Sequence, residues 1–229
     1  QILTVAVQNL VTSPTGVAGL EQSHSVSGRK LHKPTIIGGE EAPDGAYPWT
    51  VALIKNGASS RATRQFCGGT LISPVWVMTA AHCTYSGSTP RLAGSFAVFI
   101  GSNDLNSSNG QEIEIAEIIR HPDYTRSSAS SDLALLRLAY PVSSPYIEIA
   151  DATTLQPEAQ AATMVLGWGK TDDSPRTNQL MQVNVPLVAD QVCRSAYATL
   201  GFAVDDSMIC AGYAEGGKDA CPSFLRPRH

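Results

Sequence analysis

The run Cys67-Gly-Gly-Thr-Leu-Ile-Ser-Pro-Val-Trp-Val-Met-Thr-Ala-Ala-His-Cys83 constrains this chain more than any other stretch. Gly68 and Gly69 open a segment rich in Leu, Ile, Val and Trp, the pattern of buried strand, and Ser73-Pro74 breaks it with a turn. The segment closes on the small residues Thr79, Ala80 and Ala81, then on His82 beside Cys83. Cys67 and Cys83 bracket it and can clip it into a loop. A single histidine is more often a packing or surface residue than a catalyst. Small neighbours and a covalent clip, however, let an imidazole lie fixed against an adjacent strand, and a fixed imidazole suits a general base.

The chain has 229 residues, enough for one large domain or two small ones. With 43% hydrophobic and 16% charged residues it has the means to bury a core. The net charge of −4, with no long basic run, argues against nucleic acid as a partner. No apolar stretch approaches the length of a membrane-spanning helix, so no membrane association is expected. Cysteine number is odd, at 5, so in an oxidising compartment one thiol lacks a partner within the chain.

Further blocks follow in order. Residues 50–55 and 96–101 read as strands, and Glu112-Ile113-Glu114-Ile115 alternates as a half-exposed strand does. Asp132 stands at the head of the apolar run Leu133-Ala134-Leu135-Leu136. Taken alone it reads as a strand-edge cap. Residues 164–169 form an apolar strand ending in Gly-Trp-Gly, and residues 180–188 alternate again. Val192, Cys193, Ala196, Tyr197 and Leu200 fall at helical spacing after Asp190, a candidate N-cap. Met208-Ile209-Cys210-Ala211-Gly212-Tyr213 then leads to Gly216-Gly217-Lys218-Asp219-Ala220-Cys221.

In this order the blocks resemble the trypsin/chymotrypsin serine proteases over residues 36–221. The resemblance implies an all-β fold of two antiparallel six-stranded barrels with one short helix. It implies acyl transfer in which His82 shuttles the proton and Asp132 holds the imidazole in one tautomer. It places Asp219 at the base of the primary specificity pocket, where an acid selects Arg or Lys. It pairs Cys67 with Cys83 and Cys193 with Cys210. Ile36-Ile37-Gly38-Gly39 matches the family's activation cut, with Ile36 as the new N-terminus that pairs with a buried Asp. Thr35 stands where Lys or Arg usually precedes that cut, so a protease of other specificity is needed. Residues 1–35 read as a signal remnant, propeptide or linker, and residues 36–229 as the peptidase domain. The loop of residues 102–110 can bind calcium in relatives. Here Ser102 takes the first ligand position and Glu112 alone remains near the far end, so neither metal nor any other cofactor is expected. Asn106 opens a glycosylation sequon on that loop. Secretion is implied, with protein or peptide substrates and protease inhibitors as partners.

The pattern breaks after Cys221. The family continues Gln-Gly-Asp-Ser-Gly-Gly-Pro, whereas this sequence reads Pro222-Ser223-Phe224-Leu225-Arg226-Pro227. Leu225 takes the place of the nucleophilic serine, Phe224 that of the buried Asp, and Ser223 that of the oxyanion-hole glycine. Ser223 stands two residues too early to attack, beside a proline without an N–H. Cys221 loses its partner, and the second barrel is expected to be incomplete. The expectation is therefore an endopeptidase scaffold without hydrolysis. Three readings stay open: a secreted endopeptidase whose recorded 3′ coding end is wrong, a non-catalytic homologue that binds or decoys protease ligands, and a chain that does not fold stably.

Overall fold

The computed structural model describes residues 3–5, 11–12, 39–149, 162–168 and 177–213. In chain order the strands are β1 (Leu3–Val5), β2 (Val11–Thr12), β3 (Glu40–Glu41), β4 (Thr50–Lys55), β5 (Gln65–Ser73), β6 (Trp76–Thr79), β7 (Tyr85–Ser86), β8 (Thr89–Pro90), β9 (Phe96–Ile100), β10 (Gln111–Arg120), β11 (Ala134–Leu138), β12 (Ala162–Gly167), β13 (Met181–Val188) and β14 (Ile209–Ala211). The helices are α1 (Arg61–Arg64) and α2 (Asp190–Ala198), with a 3-10 turn over Ala81–Thr84.

Six strands close into an antiparallel barrel in the order β10-β11-β6-β5-β4-β9. The apolar runs explain the closure. All five residues of β9 and the first five of β4 are buried, so both faces of these strands are covered. Val51, Leu53, Phe96, Val98 and Ile100 point into the barrel. The alternate residues Ala52, Ile54, Ala97 and Phe99 point outward and pack with Leu105 of the loop after β9 and with Leu166, Trp168 and Leu180, which belong to or flank the second sheet. One strand pair thus serves two cores, which period-2 geometry permits only when every position is apolar. Strand β10 shows the other pattern: Ile113 and Ile115 are buried while Glu112 and Glu114 face solvent.

The second sheet runs β1-β14-β13-β12-β2, with β3 also on β13. Strands β12 and β13 pair in register from Ala162↔Pro186 to Gly167↔Met181. Among the described residues this sheet is open, so one of the two expected barrels is closed and the other is present as an antiparallel sheet. The backbone of Leu3–Val5 lies on β14 and that of Val11–Thr12 on β12, so the N-terminal stretch borders both edges. Trp168 Nε1 donates to the Asn103 carbonyl at 2.7 Å, and the Leu180 N–H donates to the same oxygen at 2.8 Å, joining sheet to barrel.

Two local expectations are corrected. Asp190 is the first helical residue of α2, and Ala189 is its cap with no side-chain hydrogen bond. Asp190 therefore acts on the helix only through its charge near the N-terminus. Cys193 and Tyr197 are buried as the spacing predicts, but Val192 and Leu200 are 55% and 66% exposed. The Cys193–Cys210 bridge pins the buried face of α2 to β14, and these two residues lie outside that face. Helix α1 was not legible in the spacing. Ser60 caps it, its Oγ accepting from the Thr63 N–H at 3.4 Å.

Candidate active site

Strands β6 and β11 are antiparallel, with Thr79 opposite Ala134. His82 follows Thr79 by three residues and Asp132 precedes Ala134 by two. The pairing therefore brings residues from distant parts of the chain to the same end of neighbouring strands.

The turn that carries His82 is held on several sides. The Cys67–Cys83 bridge, with its Cα atoms 6.1 Å apart, ties it to β5. Thr84 Oγ1 donates to the Ala81 carbonyl at 2.7 Å, and the Cys83 N–H donates to the Ala80 carbonyl at 3.2 Å. Arg120 of β10 donates to Thr84 Oγ1 at 2.7 Å and to the Thr84 carbonyl at 3.0 Å. Ala80 and Ala81 are fully buried, the close packing that their small side chains allow.

Asp132 accepts twice from His82. Its Oδ2 lies 2.6 Å from the imidazole Nδ1, and its Oδ1 accepts from the His82 backbone N–H at 2.7 Å. The carboxylate side chain is 7% exposed and the imidazole 35%. A buried carboxylate beside Nδ1 favours the Nδ1–H tautomer, which leaves the lone pair on Nε2. Nε2 lies 3.5 Å from Cys83 Sγ, a disulfide sulfur and a weak partner.

The segment before Asp132 is shaped by two left-handed residues, Ala129 (φ 56°) and Ser131 (φ 53°). Such conformations persist in non-glycine residues only where the surroundings hold them. Here the 205–207 loop ahead of β14 does so. Ser130 Oγ donates to Asp205 Oδ2, and Ser207 Oγ accepts from the Ser131 N–H at 2.9 Å. The Ser130 and Ser207 hydroxyls and the Ser207 N–H hold the Asp205 carboxyl below its ordinary value. Nearby, burial first and the Asp132 charge second push the Tyr124 phenol up, so it stays protonated. Its ring lies against Tyr85 with centroids 5.8 Å apart.

The other sequence-predicted residues divide. Cys193 and Cys210 are bridged. Asn106 is exposed on its loop, and Ser102 and Glu112 border the same loop. Ile36, Asp219, Cys221, Ser223, Phe224 and Leu225 lie outside the described residues. Cys67, His82 and Cys83 form a tight group of potential metal donors. Both sulfurs are in a disulfide, so they offer no thiolate, and the group does not suit a metal ion. The Ser130–Asp205–Ser207 contact and the Arg120 brace on the histidine turn escaped sequence reasoning, because nothing in the local pattern links such distant positions.

The trypsin family model matches residues 36–223. Among curated proteins, the chain is 34% identical to a trypsin from Squalus acanthias over 190 residues, covering 81% of this chain and 75% of that protein. It is 36% identical to a trypsin from Saccharopolyspora erythraea, covering 81% and 77%. It is 34% identical to a trypsin from Simulium vittatum, covering 90% and 79%. A closed antiparallel barrel with a histidine and a buried aspartate joined at the ends of two of its strands, and a match over most of the chain, lead to one assignment: this chain belongs to the trypsin family of serine proteases.

Proposed function

We propose that this scaffold is that of a secreted endopeptidase directed to peptide bonds after Arg or Lys, and that the sequence as it stands does not complete the hydrolysis. The observation that carries the first half is the double contact from Asp132 to His82, with Nδ1 and Oδ2 2.6 Å apart. In this reading His82 takes a proton at Nε2 and returns it to the leaving amine, while Asp132 fixes the ring and stabilises the imidazolium. Asp219 supplies the negative charge that selects a cationic side chain. Ile36 is the N-terminus freed by activation, and residues 1–35 are the segment that is removed.

The second half rests on Leu225. At the position that follows Cys221 at the nucleophile's spacing, a leucine has neither a proton to give His82 nor a lone pair for a carbonyl carbon. Removing the nucleophile from a triad of this kind costs on the order of 10⁶ in turnover. Phe224 and Ser223 change the residues expected to order the oxyanion hole as well. The same observation favours a second reading, a non-catalytic homologue that binds substrate-like loops of proteins, protease inhibitors among them.

The readings part on the coding sequence and on binding. A transcript that encodes Gln-Gly-Asp-Ser-Gly-Gly-Pro after the Cys221 codon in some frame supports the endopeptidase. A transcript that encodes Leu225 as here, with saturable binding of an Arg-bearing inhibitor loop and no cleavage, supports the binding module. The two disulfides among the described residues support secretion, since such bridges persist in oxidising compartments.

A further inference from the structure

Three oxygens converge beside the loop that follows β9: the carbonyls of Leu105 and Ser107 and the carboxylate of Glu112. A cluster of hard oxygens is what a hard divalent cation takes. In this chain a guanidinium meets all three. Arg61 Nη1 donates to the Leu105 carbonyl at 3.1 Å and to the Ser107 carbonyl at 2.9 Å, and Arg61 Nε donates to Glu112 Oε1 at 2.7 Å. Arg64 adds a fork to the same carboxylate, at 2.7 Å to Oε1 and 3.2 Å to Oε2. Ser102 offers a hydroxyl rather than a carboxylate, and that Oγ accepts from the Asp104 N–H at 3.1 Å.

The two arginines are built into place. Ser60 starts the short helix that presents them, and Arg64 is anchored by donating to the Ser59 carbonyl at 2.8 Å and the Lys55 carbonyl at 3.0 Å. The Arg61 guanidinium carbon sits 4.6 Å from the centroid of the Phe99 ring, which is fully buried. Five fixed N–H donors in a plane suit this set of acceptors better than a lysine point charge would. The loop they hold carries Leu105 into the core shared with the second sheet, and Asn103, which receives Trp168 Nε1. Order in this loop is therefore tied to the packing of the barrel against that sheet.

We propose that Arg61, backed by Arg64, is a built-in cation for residues 101–112: it takes the position a divalent metal ion would need, and the loop is ordered without calcium. The donors that a calcium ion would require are already spent on guanidinium groups, and a second positive charge against Arg61 is repelled. This device is independent of the catalytic reading, since it uses neither His82 nor Asp132.

Thermal unfolding of the unmodified chain, with a chelator and with millimolar calcium, tests it without any variant. The expected result is one midpoint in both conditions, with no saturable terbium luminescence. A midpoint that rises with calcium, or one-site terbium binding, overturns the proposal. Arg61→Met keeps the aliphatic stem over Phe99 and removes the donors. It is expected to lower the midpoint by several degrees and to speed exchange of the Ser107 and Asn109 amides roughly tenfold, the scale of one lost charge-assisted hydrogen bond. Exchange unchanged in that variant also overturns the proposal. If the variant does not fold, the calcium and terbium measurements decide alone.

Discussion

Asp132 engages His82 with both of its oxygens, one on the ring nitrogen at 2.6 Å and the other on the backbone N–H at 2.7 Å. The aspartate thus fixes the orientation of the side chain and the turn it springs from. Asp132→Asn keeps one acceptor oxygen and replaces the other with an N–H₂ donor. If the oxygen stays on the backbone N–H, the amide faces Nδ1 and forces the proton to Nε2. The expected outcome is a reversal of the His82 tautomer, read from ring ¹⁵N shifts, with little loss of fold. Asp132→Ala leaves the His82 N–H without its acceptor, and denaturant unfolding should show a loss of about 1–3 kcal/mol.

The loop and the core meet at Gly110. A Cβ at this position would lie 2.2 Å and 2.4 Å from two carbons of the Phe99 ring and 3.1 Å from the Ile100 carbonyl. Phe99 is fully buried and the Arg61 guanidinium lies over its ring, so the ring has little room to yield. Gly110→Ala should destabilise by about 1–3 kcal/mol through overpacking. Gly87→Ala, where nothing lies within 4 Å but φ is +58°, should cost only about 1 kcal/mol of backbone strain. Paired urea titrations check the ranking.

The Cys67–Cys83 bridge closes a loop with a sequence separation of 16. Its removal by Cys67→Ala with Cys83→Ala restores to the unfolded chain the freedom that the bridge withholds, about 2–4 kcal/mol. The same variant should loosen the histidine turn. Faster amide exchange at His82 and Cys83, measured beside the unfolding curve, separates that local effect from a global one.

Asp205 supports the segment leading to Asp132, and its carboxyl is held below the ordinary value of 3.8 by the Ser130 and Ser207 donors. A depressed folded-state value means that the unfolded chain binds the proton more readily. The stabilisation is therefore present above about pH 4 and lost as pH falls through the lower folded-state value. In Asp205→Asn this acid-side dependence disappears. The stability gap between the two proteins, measured by denaturation at a series of pH values, should be constant near neutrality and shrink toward zero in acid. A gap that widens in acid contradicts the assignment.

Much of this was legible along the chain because it depends on short-range pattern. The runs Val51–Ile54 and Phe96–Ile100 are apolar at every position, and the fold buries both faces of each. The alternation at Glu112 to Ile115 gave a strand with one wet face. His82 and Asp132 were found as blocks in a familiar order, and their meeting follows from antiparallel pairing of the strands they flank. What escaped depends on approach in space. Arg61 and Glu112 are 51 residues apart and Ser130 and Asp205 are 75 apart, and charges and hydroxyls at such separations look like ordinary surface. The Asp190 cap failed for a different reason: the chain enters α2 one residue earlier, so the carboxylate sits inside the first turn.

The central proposal is that His82 and Asp132 form a proton relay and that Leu225 stands where the oxygen that relay would activate belongs. Incubation of the purified chain, cut ahead of Ile36, with a fluorogenic Arg amide and a fluorophosphonate probe tests it most directly. The account predicts no turnover above the solvent rate and no covalent label. Turnover that the probe abolishes, with label on a serine of this chain, would contradict it.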